Sequence, residues 1–237
     1  MTMPATVYLV PSLLAEDAAA SISPSVLSAI HECDVIFAES IRTTRRFFKA
    51  IDPSIIIDRF EWHEINNSDK DQPALFKQML REEKQIAIVS EAGCPGVADP
   101  GQQLVEFAHQ SGVRVKPLSG PSALLLALMA SGMNGQRFSF FGYLPIDGPA
   151  RNKALRNMEA QSQREGSTCI FIETPYRNKA LFQAIRENCS GTTRICIAAD
   201  LTGAQEFVRT LTVNEWKKQE PELHKRPVVY LLQAAEH

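Results

Sequence analysis

SEAGCPGVADPG, residues Ser90–Gly101, lies between the apolar run Gln85–Ser90 (QIAIVS) and a helical pattern, Gln102–Ser111, that ends at Gly112. Three glycines and two prolines in twelve residues make this an irregular strand-to-helix connection. At the carboxyl end of a parallel sheet, such a loop is where open α/β sheets place ligands. Glycine there permits positive φ and a close approach of backbone to ligand. The segment is not a phosphate loop, because it lacks GKS, GKT and GxGxxG. Read from composition alone, an ordinary connector remains the competing interpretation.

The flanking segments repeat the alternation. Val7–Pro11, Asp34–Ala38 and Val113–Leu118 read as short strands. Pro24–Cys33 and Leu75–Glu83 read as helices, the first with Ser23 as N-cap and proline at the first helical position. Short strands separated by helices of about ten residues indicate βαβ units and a mostly parallel sheet. After Ser119–Gly120–Pro121 comes an apolar helix, Ser122–Gly132. Beyond it the texture changes to five strand-like stretches, Phe138–Tyr143, Thr168–Glu173, Arg194–Asp200, Glu206–Leu211 and Pro227–Gln233. Helical segments Pro149–Gln161 and Asn178–Asn188 lie among them. The turn at Met133–Gln136 marks a boundary, giving a domain 1–134 with a mostly parallel sheet and a mixed α/β domain 135–237.

Composition narrows the function. With 44% hydrophobic residues in 237, the chain can bury a sizeable core and is not disordered. Lys+Arg of 25 against Asp+Glu of 27 gives a net charge of -2, which excludes a strongly basic nucleic-acid coat but permits local basic patches. The start MTMPATVYLV has no basic stretch before its apolar run, so no secretory signal is expected. The longest apolar block, Ala123–Ala130, falls well short of the roughly 20 residues of a membrane span. Five cysteines without a CxxC pair indicate neither a disulfide framework nor a zinc site, and four of them read as small buried residues. A cytoplasmic protein without a structural metal is expected.

Polar strand ends supply the chemical candidates. AESIRTTRR (38–46) carries Glu39, Arg42, Arg45 and Arg46, suited either to phosphate contacts or to a solvated helix face. His63 titrates near neutrality and is a candidate acid–base group, with a structural role as the alternative. Glu173 and Arg177 close one strand of the second half, and Asp200, Thr202 and Glu206 close another. Ser119 or Ser122 is placed to cap the apolar helix.

Taken in order, AESIRTT (38–44), VSEAGCPGVADPG (89–101), PLSGPSA (117–123), RFSFFGYLP (137–145), FIETPYR (171–177) and AADLTGAQE (198–206) resemble the tetrapyrrole (corrin/porphyrin) methylase superfamily. Within it they are most similar to the ribosomal small-subunit RNA methyltransferase I family, which methylates a cytidine 2′-hydroxyl. The resemblance implies two α/β domains with S-adenosylmethionine (SAM) in the cleft between them, a homodimer, and ribosomal small-subunit RNA as partner. It implies donor binding by Gly93, Cys94, Pro95, Gly96, Val97, Ser122, Ala123, Ala199 and Leu201. It places acidic and basic family positions on Glu39, Arg42, Asp99, Glu173, Arg177 and Glu206, and Arg45 and His63 join them as candidate substrate contacts. For a ribose acceptor, Glu39, Glu91 and Asp99 are the candidate general bases. Two departures stand out. The first strand runs into PSLLAED where the family has Thr-Pro-Ile-Gly-Asn, and SDAGTP becomes SEAGCP. They leave two alternatives open: a tetrapyrrole or small-molecule methylase, and a SAM-binding protein that has lost catalysis.

Overall fold

In the computed structural model, which describes residues 4–66 and 68–235, the first sheet is built from β1 (Thr6–Val10), β2 (Val35–Ala38), β3 (Glu61–Glu64), β4 (Gln85–Val89) and β5 (Arg114–Pro117). All of its pairings are parallel, in the order β3-β2-β4-β1-β5. Strands buried on both faces read as unbroken apolar runs, which is why VIFA and QIAIV carry no polar alternation.

Both faces are covered. On one, Val26 and Ile30 of α1 (Pro24–Glu32) and Phe47 and Phe48 of α2 (Ile41–Ile51) pack on Val10, Ile36 and Val89. On the other, Phe76 and Leu80 of α3 (Gln72–Arg81) and Leu104 of α4 (Gln102–Gln110) pack on Val7, Phe37 and Ile88. The chain therefore leaves β1 and β2 toward one face and β4 toward the other. Neighbouring strands whose exits part in this way open a crevice at their carboxyl ends. The Ser90–Gly101 loop begins there.

The second sheet has the order β6-β7-β10-β8-β9, from β6 (Phe138–Tyr143), β7 (Thr168–Glu173), β8 (Arg194–Ala199), β9 (Phe207–Thr212) and β10 (Val228–Gln233). Only β6 and β7 run parallel. One face is filled by Leu155 and Met158 of α6 (Gly148–Glu165), Leu181 and Phe182 of α7 (Asn178–Asn188) and Trp216 of α8 (Val213–Trp216).

The chain divides into units Met1–Ser122 and Ala123–His237, ahead of the turn at Met133–Gln136. The reason lies in α5 (Ala123–Ser131), which packs on β8, β9 and β10. Its end is tied to β9 by Thr210 Oγ1, which donates to the Ser131 carbonyl at 2.7 Å. The turn is fastened within the second unit too: Asn134 donates to the Gly166 carbonyl at 2.7 Å, and its own carbonyl accepts from Thr168 Oγ1 at 2.9 Å. No helix among the described residues is long and apolar enough to cross a membrane.

Candidate active site

After β4 the chain makes a series of left-handed bends: Gly93 at φ 73°, Gly96 at 76°, Ala98 at 66° and Gly101 at 113°. Glycine adopts these values without steric cost, whereas Ala98 holds one that non-glycine residues rarely visit. A turn closes when the Val97 N–H donates to the Cys94 carbonyl at 3.2 Å. The two glycines serve different ends. A Cβ on Gly93 would sit 3.3 Å from Leu14 Cδ2 and 3.6 Å from the Pro121 carbonyl, so Gly93 is packed inward. A Cβ on Gly96 would meet nothing within 4 Å, and Val97 beside it is exposed. Gly96–Val97 is thus the open rim of the loop.

The divergent segment after β1 is stitched to this loop. Ser12 and Gly93 form an antiparallel bridge, Ser12 N–H to Gly93 carbonyl at 2.8 Å and Gly93 N–H to Ser12 carbonyl at 3.2 Å. The Cys94 thiol donates to the Pro121 carbonyl at 3.5 Å, joining PLSGPSA to the same loop. Gly120 is needed for this arrangement, since a Cβ there would lie 2.2 Å from Pro11 Cγ.

The three candidate bases come together. Glu39 directly follows β2, and its Oε2 accepts the Glu91 N–H at 2.8 Å. Glu91 Oε1 accepts from Thr43 Oγ1 at 3.1 Å, in the first turn of α2, whose cap is Ser40. The positive end of the helix dipole favours anions at that position. Burial, reinforced by the negative charges of Glu39 and Glu91, pushes the Asp99 carboxyl up to about 7, against a lowering hydrogen bond from Ser90. Asp99 therefore exchanges its proton near neutral pH.

The remaining candidates divide. Glu173 and Arg177 are joined: Arg177 Nε and Nη2 donate to Glu173 Oε1 at 2.9 and 2.6 Å, leaving the buried Oε2 without a partner. Ala199 and Leu201 are buried around the end of β8, where Asp200 and Thr202 take φ of 47° and 71°. Glu206 accepts the Thr202 N–H at 2.7 Å and so braces that turn. Ser122 closes the first unit and Ala123 opens α5. Arg42 is exposed on α2, while Arg45 lies over the Trp62 ring at 5.2 Å. His63 is held in β3, stacked on Phe37 at 5.0 Å and hydrogen-bonded to Glu61 at 3.0 Å. Sequence reasoning passed over two residues: Thr43, although it lies within AESIRTT, and Arg226, whose Nε donates to Asp200 Oδ2 at 2.5 Å. Among the described residues no cluster of His, Cys, Asp or Glu is fit to hold a metal.

Comparison with known proteins supplies the context for this geometry. The family model of tetrapyrrole (corrin/porphyrin) methylases matches residues 17–216. A ribosomal RNA small subunit methyltransferase I from Vibrio cholerae is 31% identical over 228 residues, covering 95% of this chain and 76% of that protein. Among solved structures, the methyltransferase CobJ superposes with a TM-score of 0.64 at 20% identity, over 98% of this chain and 94% of its own. Uroporphyrin-III C-methyltransferase from Thermus thermophilus, complexed with S-adenyl homocysteine, gives 0.56 at 16% identity, over 96% and 97%.

Proposed function

The chain belongs to the tetrapyrrole (corrin/porphyrin) methylases, and from that premise we propose that it methylates ribosomal RNA, at the 2′-hydroxyl of a small-subunit cytidine. It is a SAM-dependent methyltransferase. The RNA reading rests on the relative from Vibrio cholerae, whose likeness runs through nearly the whole chain.

One observation carries the chemistry: three carboxylates gather at the ends of β2 and β4 beside an open glycine rim. The residues fit a sulfonium nucleoside. Gly96 leaves room for backbone contact, and a cluster of negative charge suits a cation. When bound, the cofactor supplies a methyl group already activated on sulfur. Gly93–Val97, with Ser122 of the same unit, holds and orients it, and orientation contributes about 7–11 kcal/mol in favourable cases. Asp99 takes the hydroxyl proton, its carboxyl matched to neutral pH. Glu39 positions the loop through the Glu91 N–H. Arg42, exposed on α2 of the same unit, contacts the acceptor.

The protein works in the cytoplasm, where its proposed substrate is assembled, and as a homodimer. The edge strand β6 supports the second assignment, since Phe138, Phe140, Phe141 and Tyr143 are all exposed on it.

The test is transfer of labelled methyl from SAM to small ribosomal subunits from cells lacking this protein, with the modified nucleotide mapped afterwards. Label on one ribose oxygen is expected. Label on a porphyrinoid precursor and none on RNA would overturn the RNA reading. Calorimetry should show SAM binding to the native chain and none to Gly96→Val.

A further inference from the structure

A cavity of about 530 Å³ opens in the first unit, between the segment after β1, helix α2 and the start of the Ser90–Gly101 loop. That volume lies within the roughly 300–1,000 Å³ in which small molecules are largely enclosed. Its walls are apolar where Leu13 and Leu14 meet Phe47 and Ala50, and charged where Glu16, Arg46 and Glu91 stand. Arg46 has no carboxylate partner and no hydrogen bond among the described residues, unlike Arg45, which is committed to Trp62. Glu91 is fixed twice, by Glu39 at its N–H and by Thr43 at one carboxylate oxygen. Leu14 lines this cavity and lies close to Gly93, while neither Gly96 nor Val97 is part of the lining. The cavity and the open rim at Gly96 are therefore distinct surfaces of one loop.

We propose that this cavity seats one nucleotide of the acceptor RNA. The inference rests on the RNA reading above and assigns the subsite within it. A planar base fits the apolar walls, a phosphate suits the unpaired Arg46, and a carboxylate accepts from an exocyclic amine. The base is thus one that carries such an amine, and uracil, with a carbonyl at that position, is disfavoured. Glu91 reads the base, which leaves proton removal to Asp99.

Ala50→Trp fills the cavity from α2, and Arg46→Ala removes the cation. Each is measured by calorimetry with SAM, by titration with cytidine and uridine 5′-monophosphates, and by methyl transfer to small subunits. SAM affinity is expected to stay unchanged in both. Cytidine monophosphate should bind the native chain more tightly than uridine monophosphate, and Ala50→Trp should abolish its binding. Arg46→Ala should weaken that binding, and raise KM for the RNA, by about 10- to 100-fold, the usual scale for a hydrogen bond to a charged group. If Ala50→Trp loses SAM as well, the cavity belongs to the donor and the proposal falls. Equal binding of the two nucleotides, or cytidine monophosphate bound undiminished by Ala50→Trp, overturns it too. If the native protein methylates no RNA, the functional reading fails on its own, while the nucleotide titrations still decide the cavity.

Discussion

Asp99 is the residue on which solution behaviour turns. In an unfolded chain an aspartate titrates near 3.9, but here burial and two negative neighbours hold it at about 7. Between those values the native state keeps a proton that the unfolded state has released. Its contribution to stability is therefore complete below about pH 4 and is lost as pH rises through about 7. Activity runs the other way on the proposed role of Asp99, because a proton acceptor works in the carboxylate form, which grows as pH climbs through 7. Glu39→Gln removes one of the two charges, so the acidic limb of the kcat profile should move to lower pH. A limb that stays in place would dismiss Glu39 as a neighbour of the base. Gly120 allows a second measurement. With its Cβ position only 2.2 Å from Pro11 Cγ, Gly120→Ala should destabilise the chain by about 1–3 kcal/mol in urea unfolding. The need for glycine at 120 is invisible in PLSGPSA, since it arises from a proline more than a hundred residues earlier in the chain.

Among elements, α8 depends most on its ends. It has only four residues, and Thr212 and Glu215 form a reciprocal capping box across its first turn. Thr212→Ala should cost about 1 kcal/mol of stability, measured by chemical denaturation. Elements with one dominant physical signal were legible in the sequence. β1, β2 and β4 are short apolar runs because both faces of the first sheet are covered, and α1 declares itself through Ser23 and Pro24. β3 was not legible: EWHE lies at the edge of the sheet, so two of its four residues are exposed and no apolar run forms. In α2 the arginines drew attention as a basic cluster, although Thr44, Phe47 and Phe48 mark a buried face. Glu39 and Glu91 stand just beyond β2 and β4, whose termini meet in a parallel sheet, whereas the inward packing of Gly93 was not legible. It depends on Leu14, in the segment where this chain departs from its family.

At the scale of the molecule, each unit carries its own apolar core, and α5 joins the second because its contacts are with β8, β9 and β10. A boundary drawn from turn residues overlooks this, because a turn such as Met133–Gln136 can be fastened inside a unit as firmly as a strand. The exposed aromatics of β6 bear on assembly. On the homodimer proposed above, Phe140→Lys should shift the sedimentation coefficient from dimer to monomer while leaving the circular dichroism of the fold intact. The distribution of sulfur has a practical consequence. Cys33, Cys169, Cys189 and Cys196 are buried, while Cys94, in the loop after β4, is only half-buried. Burial and the nearby Asp99 push its thiol above the ordinary value, so alkylation will be slow at neutrality and quicken in alkali. An iodoacetamide time course thus has a single favoured address, and its retardation by an added nucleoside would report occupancy of the loop without any turnover.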